Sequence, residues 1–270
     1  MALLDIGVVG AAGRMGQSLV REIVEKEGVR LVAASECNAH PALGQDAGSL
    51  AGVGTLGITI TDDSAQVFEA ANSVLEFSAP QATVVHAGLA AAGGVGHVIG
   101  TTGLSVGEEG ALQAAARQTP IFWAPNMSIG VNVLVALAEQ AAAALNDDFD
   151  IEILEMHHKH KVDAPSGTAL ALGAAVAKGR GVKLEEVSQR TRDGIIGERR
   201  RGDIGYAVLR GGDVVGNHSV ILAGENEKVE LAHQATSRQI FAAGAVRAAI
   251  WLQKQPPGLY GMRDMLGLEE

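Results

Sequence analysis

Leu3-Leu4-Asp5-Ile6-Gly7-Val8-Val9-Gly10-Ala11-Ala12-Gly13-Arg14-Met15-Gly16 sets the fold of the first half of this chain. Leu3 to Val9 reads as a buried strand. The glycine turn Gly10 to Gly16 follows, and an amphipathic helix is expected from Gln17 to Glu27. Strand, glycine turn and helix form the opening unit of a dinucleotide-binding sheet. Glycine there allows a tight turn, close approach of backbone to pyrophosphate, and packing of helix on strand. The spacing is G-x-x-G-x-x-G rather than the strict G-x-G-x-x-G, so a turn that merely joins strand to helix is a competing reading. The next strand, Val29 to Ser35, favours the nucleotide. It ends at Glu36, about twenty residues past the turn, where an acid accepts hydrogen bonds from adenosine ribose hydroxyls.

Three later segments repeat this design. Val74 to Ser78 precedes Ala79-Pro80, with Pro80 suited to a first helical turn. His97 to Ile99 ends at Gly100-Thr101-Thr102-Gly103, and Ile121 to Trp123 ends at Ala124-Pro125-Asn126-Met127-Ser128. Ligands of parallel α/β sheets bind outside the carboxyl ends of strands, so these loops are expected to line one nicotinamide-cofactor groove.

A different chemistry is written at His157-His158-Lys159-His160-Lys161-Val162-Asp163-Ala164-Pro165-Ser166-Gly167-Thr168. Three histidines and two lysines fall within five positions of a chain whose net charge is −10. Such crowding is self-repulsive, which points to an anionic ligand. Asp150 to Met156 before it has strand-like apolar content, and Ala169 to Val176 after it is rich in helix formers. The cations therefore lie on a strand-to-helix loop, with the N–H groups of Gly167 and Thr168 expected to point back at a carboxylate or phosphate. Histidine adds a proton carrier with an ordinary pKa of ~6.5. A solvated basic face is the plain alternative, weakened by the Pro-Ser-Gly-Thr helix start. Metal binding is opposed by the interleaved lysines and by Cys37 being the only cysteine.

A length of 270 residues is long for one core and favours two domains. The acidic balance argues against nucleic acid as a partner. One cysteine excludes an intrachain disulfide framework and fits a reducing compartment. Met1 to Asp5 runs towards a strand without the basic n-region of a signal peptide. Val84 to Leu104 is too broken by His86, His97 and glycines to span a membrane. A cytoplasmic protein with no membrane partner is expected.

The assembled motifs resemble the dihydrodipicolinate reductase family. The similarity runs through Gly10 to Gly16, Gly100 to Gly103, Asn126 to Asn132, Glu155 to Ala169, Arg210 to His218 and Ser237 to Ala242. The His-Lys loop joined to Asp163-Ala164-Pro165-Ser166-Gly167-Thr168 carries most of its specificity. The resemblance implies NADH- or NADPH-dependent reduction of a small cyclic dicarboxylate, 4-hydroxy-tetrahydrodipicolinate, in lysine and diaminopimelate biosynthesis. It assigns His157 as general acid and Lys161 as its catalytic partner, with His158, Gly167 and Thr168 as substrate-carboxylate contacts. Gly10, Ala11, Ala12, Gly13, Arg14, Met15, Glu36, Gly100, Thr101, Thr102, Ala124, Pro125, Asn126 and Met127 become cofactor contacts. Many relatives carry arginine directly after the acid of the second strand, where it meets a 2′-phosphate. Cys37 stands there instead, which leaves the choice between NADH and NADPH open.

The resemblance also implies an α/β architecture. Residues 1–128 and 236–270 would form a Rossmann-type parallel sheet, and 129–235 a smaller α+β substrate and oligomerisation domain on an open mixed sheet. Its strands read as Gly202 to Val208, Val214 to Leu222 and Lys228 to Gln234. A last helix near Ser237 to Gln253 would return to the first domain, and a homotetramer is implied. The rival enzymatic reading is another nicotinamide-dependent amino- or imino-acid dehydrogenase, which does not require the His-Lys loop. The rival of another class is a non-catalytic nucleotide sensor, which needs neither His157 nor Lys161.

Overall fold

A computed structural model describes residues 3–268, so Met1 and Ala2, on which the reading of the N-terminal segment partly rests, lie outside the described residues. The apolar run forms β1, Leu4–Val9, and passes through the glycine turn into α1, Arg14–Glu25. The helix starts earlier than Gln17 because Gly13 is its N-cap, and the Gly13 carbonyl accepts the Gln17 N–H at 2.9 Å. It also stops at Glu25, short of the expected Glu27. Gly10 sits at φ +72°, the left-handed region that L side chains resist. A Cβ on Gly16 would lie 2.1 Å from the Gly10 carbonyl oxygen, so only glycine lets α1 press onto the turn.

The chain continues through β2 (Val29–Ser35), α2 (Ala47–Ala51), β3 (Ile60–Thr61) and α3 (Ser64–Ala70). Next come β4 (Ser73–Glu76), α4 (Pro80–Gly93), β5 (Gly96–Ile99), α5 (Val106–Ala115) and β6 (Pro120–Trp123). Pro80 takes the first turn of α4, as its fixed φ and missing N–H favour. β4 ends at Glu76 rather than Ser78, because Ser78 gives its N–H to the Thr101 hydroxyl instead of a strand partner.

After β6 come α6 (Ile129–Leu145), β7 (Asp150–His157), α7 (Gly167–Gly179), α8 (Leu184–Val187), β8 (Ser188–Gln189), β9 (Ile204–Arg210), β10 (Gly216–Ala223) and β11 (Lys228–Ala235). The chain finishes with α9 (Gln239–Leu252), β12 (Gly258–Tyr260) and α10 (Met262–Leu266).

Two compact units result, Met1–Ile129 with Gln239–Glu270, and Gly130–Arg238. The first holds a seven-stranded sheet in the order β12-β6-β5-β4-β1-β2-β3, and all its pairs are parallel. Strand order reverses between β1 and β4, the switch point where open parallel sheets bind ligands. Ile6, Val8, Leu75, Val98 and Phe122 from the strands pack with Leu19 and Ile23 of α1 and with Ala245, Ala249 and Leu252 of α9. Small residues on α9 permit close approach. A Cβ on Gly244 would fall 1.8 Å from the Met127 carbonyl oxygen.

The second unit has a five-stranded sheet, β11-β10-β7-β9-β8, in which β7, β8 and β9 run parallel and β10 pairs antiparallel with both β7 and β11. Residues 129–148 are long and apolar enough to cross a membrane by length and composition. Here Leu134, Ala138 and Ala142 of α6 are covered instead by Ile151, Ile153, Val220 and Leu222 of the sheet, with α7 alongside.

Gly16→Ala is expected to destabilise the protein by about 1–3 kcal/mol, the usual cost of overpacking a site that cannot relax. Chemical denaturation of the two forms measures it; an unchanged midpoint would mean that the turn yields.

Candidate active site

β7 carries the decisive side chains because strand residues alternate between faces. Ile151, Ile153, Glu155 and His157 share the buried face. That face is apolar beneath the helices and turns polar towards the end of the strand. Register places His218 of β10 directly opposite Glu155, and Arg210 of β9 beside His157.

Glu155 is 1 % exposed, and four donors meet its carboxylate. Arg210 donates through two guanidinium nitrogens at 2.7 and 2.9 Å, His157 through Nδ1 at 2.6 Å, and Ser166 through its backbone N–H at 3.0 Å. Burial pushes the carboxyl pKa up, but the hydrogen bonds from Arg210, His157 and Ser166 outweigh it and hold Glu155 below the usual range. A carboxylate accepts only, so Nδ1 of His157 carries a proton and Nε2 is left for other work. Gly216 borders that nitrogen, where a Cβ would lie 3.0 Å from Nε2. The ring also meets His218 edge-on at 5.0 Å.

The His-Lys loop is pinned on both sides. Gly211 N–H donates to the His157 carbonyl at 2.9 Å, and Lys159 N–H donates to the Gly212 carbonyl at 3.2 Å. At the far end Ser166 caps α7, its hydroxyl accepting the Ala169 N–H at 3.2 Å and facing His218 Nε2 at 3.0 Å. Gly167 and Thr168 form the first turn of the helix. His158 lies 3.3 Å from the Arg238 guanidinium, and burial, then the Arg238 charge, lowers its pKa. Lys161 forms a 2.8 Å ion pair with Asp163, whose carboxyl pKa is lowered chiefly by that hydrogen bond. Lys159 is exposed.

Glu155, Arg210, Ser166 and His218 were not singled out as site residues from sequence. Glu155 did carry a signal. It occupies a buried position of an alternating strand, where an unpaired acid is rarely tolerated.

In the first unit the glycine turn combines the left-handed Gly10, the Gly13 cap and the close packing at Gly16 where α1 begins. The Glu36 carboxylate accepts the Ala12 N–H at 3.0 Å and the Cys37 N–H at 2.9 Å, fixing the acid beside the turn. Thr101 is buried and Thr102 exposed in the turn after β5, where Trp123 Nε1 donates to the Thr101 carbonyl at 3.1 Å. After β6, Ala124 N–H reaches back to the Ile99 carbonyl at 3.1 Å, and the Asn126 side chain accepts the Ser128 N–H at 2.9 Å.

Residues 4–127 match the model of the dihydrodipicolinate reductase N-terminus, and residues 130–266 match that of its C-terminus. The chain belongs to the dihydrodipicolinate reductase family. It is 56% identical over 266 residues to the 4-hydroxy-tetrahydrodipicolinate reductase of Brucella abortus strain 2308, covering 98% of this chain and 99% of that one. It is 58% identical to the enzyme of the same name from Sinorhizobium fredii, over 98% of both chains. A solved dipicolinate-bound dihydrodipicolinate reductase from Paenisporosarcina sp. TG-14 has the same fold. Its TM-score is 0.77 at 24% identity, covering 97% of this chain and 99% of that one.

His218 generates a pH prediction. Burial, and then the neighbouring His157 charge, pushes its pKa down to about 4 from an ordinary 6.5. An unfolded chain therefore takes up this proton first as pH falls. The second unit should lose stability between pH 6.5 and 4, on the order of 3 kcal/mol at the limit. Denaturation at stepped pH should show this slope in the wild type and a shallower one in His218→Gln; equal slopes would remove His218 as its source.

Proposed function

We propose that this chain reduces 4-hydroxy-tetrahydrodipicolinate to tetrahydrodipicolinate and water, with NADH or NADPH as reductant, in lysine and diaminopimelate biosynthesis. The identity shared with the reductases of that name supports the reaction. The observation that carries the chemistry is the His157 ring, fixed through Nδ1 by Glu155 at the mouth of a cationic loop. The glycine turn would hold the pyrophosphate of the nicotinamide cofactor, which would supply the hydride.

Loss of water from the hydroxylated ring yields a conjugated imine. Hydride addition to it would build negative charge, and His157 in its imidazolium form, with the Nδ1 proton held by Glu155, would quench that charge by giving the proton on Nε2. Lys161, His158 and the first turn of α7 at Gly167 and Thr168 hold the substrate carboxylates, and Lys161 favours the charge that develops. The Lys161–Asp163 pair is partly exposed and worth little, so a substrate carboxylate can displace Asp163.

On the cofactor side, Gly10 to Met15 receive the pyrophosphate. Glu36 receives the ribose, and Gly100 to Thr102 with Ala124 to Met127 line the remainder. Cys37 brings no cation to a 2′-phosphate, so NADH is accepted at least as well as NADPH. The exposed thiol of Cys37 fits a reducing cytoplasm. The mixed sheet presents Leu154, Met156, Leu209 and Ile221 on the face away from its helices, partly or fully exposed, and pairing of these faces would build a homotetramer.

His157→Gln should lower kcat by roughly 10²–10⁴-fold, the range for a lost general acid, with cofactor affinity near wild type. Steady-state kinetics with freshly generated substrate test this, and turnover within a few-fold of wild type would rule out His157 as the acid.

Lys161→Ala should lose both substrate affinity and turnover, and wild-type affinity should weaken as salt rises. Lys159→Ala, two positions away, should change kcat/KM only slightly. Equal damage from the two variants would mean that a diffuse positive field, rather than one placed ammonium, binds the substrate.

A further inference from the structure

One buried charge in the first unit has no part in the chemistry above. Glu76 ends β4 and is completely buried. Its Oε1 accepts hydrogen bonds from the Ser78 hydroxyl, from the Thr83 hydroxyl at 3.0 Å and from His86 Nδ1 at 2.9 Å. Its Oε2 accepts from His97 Nε2 at 2.7 Å. The Phe68 ring lies 5.9 Å from the His86 imidazole and 5.4 Å from that of His97. Burial pushes the carboxyl pKa up, but the hydrogen bonds from His86 and His97 outweigh it, so Glu76 stays ionised.

This charge reaches beyond its own donors. The Thr83 and Thr101 hydroxyls are 3.0 Å apart, and Thr101 Oγ1 also accepts the Ser78 N–H at 3.1 Å. A hydroxyl has a single proton to give. Thr83 gives its proton to the carboxylate, the stronger acceptor, so Thr101 must give its own to Thr83. The donors therefore run in one direction, Thr101 to Thr83 to Glu76. Both turns at the carboxyl ends of β4 and β5 are tied to one buried anion. Buried ion pairs in general add little to stability, so positional control is the more informative use of this one.

We propose that Glu76, acting through Thr83, is a positioning residue for the nicotinamide cofactor, setting the Gly100–Thr102 turn in the conformation that binds it. The proposal rests on the assignment of that turn to the cofactor. Thr83 is itself fully buried. Thr83→Val keeps its shape and removes only the relay hydroxyl, while Thr83→Ser restores it.

NADH titration of the purified full-length variants, followed by nucleotide fluorescence, reads the effect directly. Thr83→Val should raise the NADH Kd about tenfold, the loss expected for one hydrogen bond in a charge-assisted chain. Its substrate KM, and its kcat at saturating NADH, should stay within about twofold of wild type, and Thr83→Ser should restore the Kd. A wild-type Kd in Thr83→Val overturns the proposal. So does a parallel loss of Kd, KM and kcat that serine fails to rescue, since that pattern is general structural damage. Thr102→Glu separates the proposal from its premise by placing a negative charge on the exposed part of the turn. If Thr102→Glu weakens NADH and Thr83→Val does not, the turn assignment stands and only the relay falls. If Thr102→Glu leaves Kd unchanged, the turn assignment fails and the proposal falls with it.

Discussion

An ionised carboxylate at Glu155 is what the second unit is arranged around. Taken out of water, it needs donors from all sides, and breaking one partner away from such a charge typically costs about 3–5 kcal/mol. The donors come from three places: Arg210 on β9, His157 on the same strand, and the Ser166 N–H at the start of α7. Two of them are the ends of the cationic loop. One buried charge thus closes the loop at both ends, orients the imidazole and sets where α7 begins. The positive charge of the loop is tolerable in an acidic protein because each end is tied to an anion.

The first unit uses carboxylates in the same physical role at other strand ends. Backbone N–H groups run out of sheet partners there, and an acid can take them up. Glu36 does this after β2, joining the glycine turn to the Cys37 backbone. Asp46 does it in the following loop, where the N–H groups of Ser49, Gly57 and Ile58 converge on its side chain. Burial is light at Asp46, and the backbone hydrogen bonds, that of Ser49 foremost, bring its pKa down to about 2. In both turns an anion gathers backbone N–H groups that the sheet leaves unpaired.

Much of this was legible in the chain. The β2 strand was expected at Val29 to Ser35 and forms there, since a run of apolar residues between polar turns has one period that buries it. Pro80, Ser166 and Gly16 also occupy the places their local chemistry dictates. Boundaries moved where tertiary contacts intervened. α1 gained Arg14 to Gly16 once Gly13 became its cap, and β4 lost Phe77 and Ser78 to the turn that meets Thr101. The loop was read as an anion site with a proton carrier, yet its organising acid went unnoticed beside more conspicuous histidines.

The sequence by itself determined the parallel nucleotide-binding sheet, the strand-loop-helix that carries the cations, and the residue types available for acid catalysis. These follow from steric and burial rules acting over a few residues: glycine where backbone must approach backbone, alternation where one face is covered, a cap where a helix starts. Only the tertiary structure decided the partners. Arg210 reaches Glu155 across 55 positions, and His218 reaches Ser166 across 52. Contacts of that span exist only once the strands have taken their order, and no local pattern encodes them. Glu76 found two histidines for the same reason: an ionised side chain takes whichever counter-charge or donor the finished fold brings within hydrogen-bonding distance.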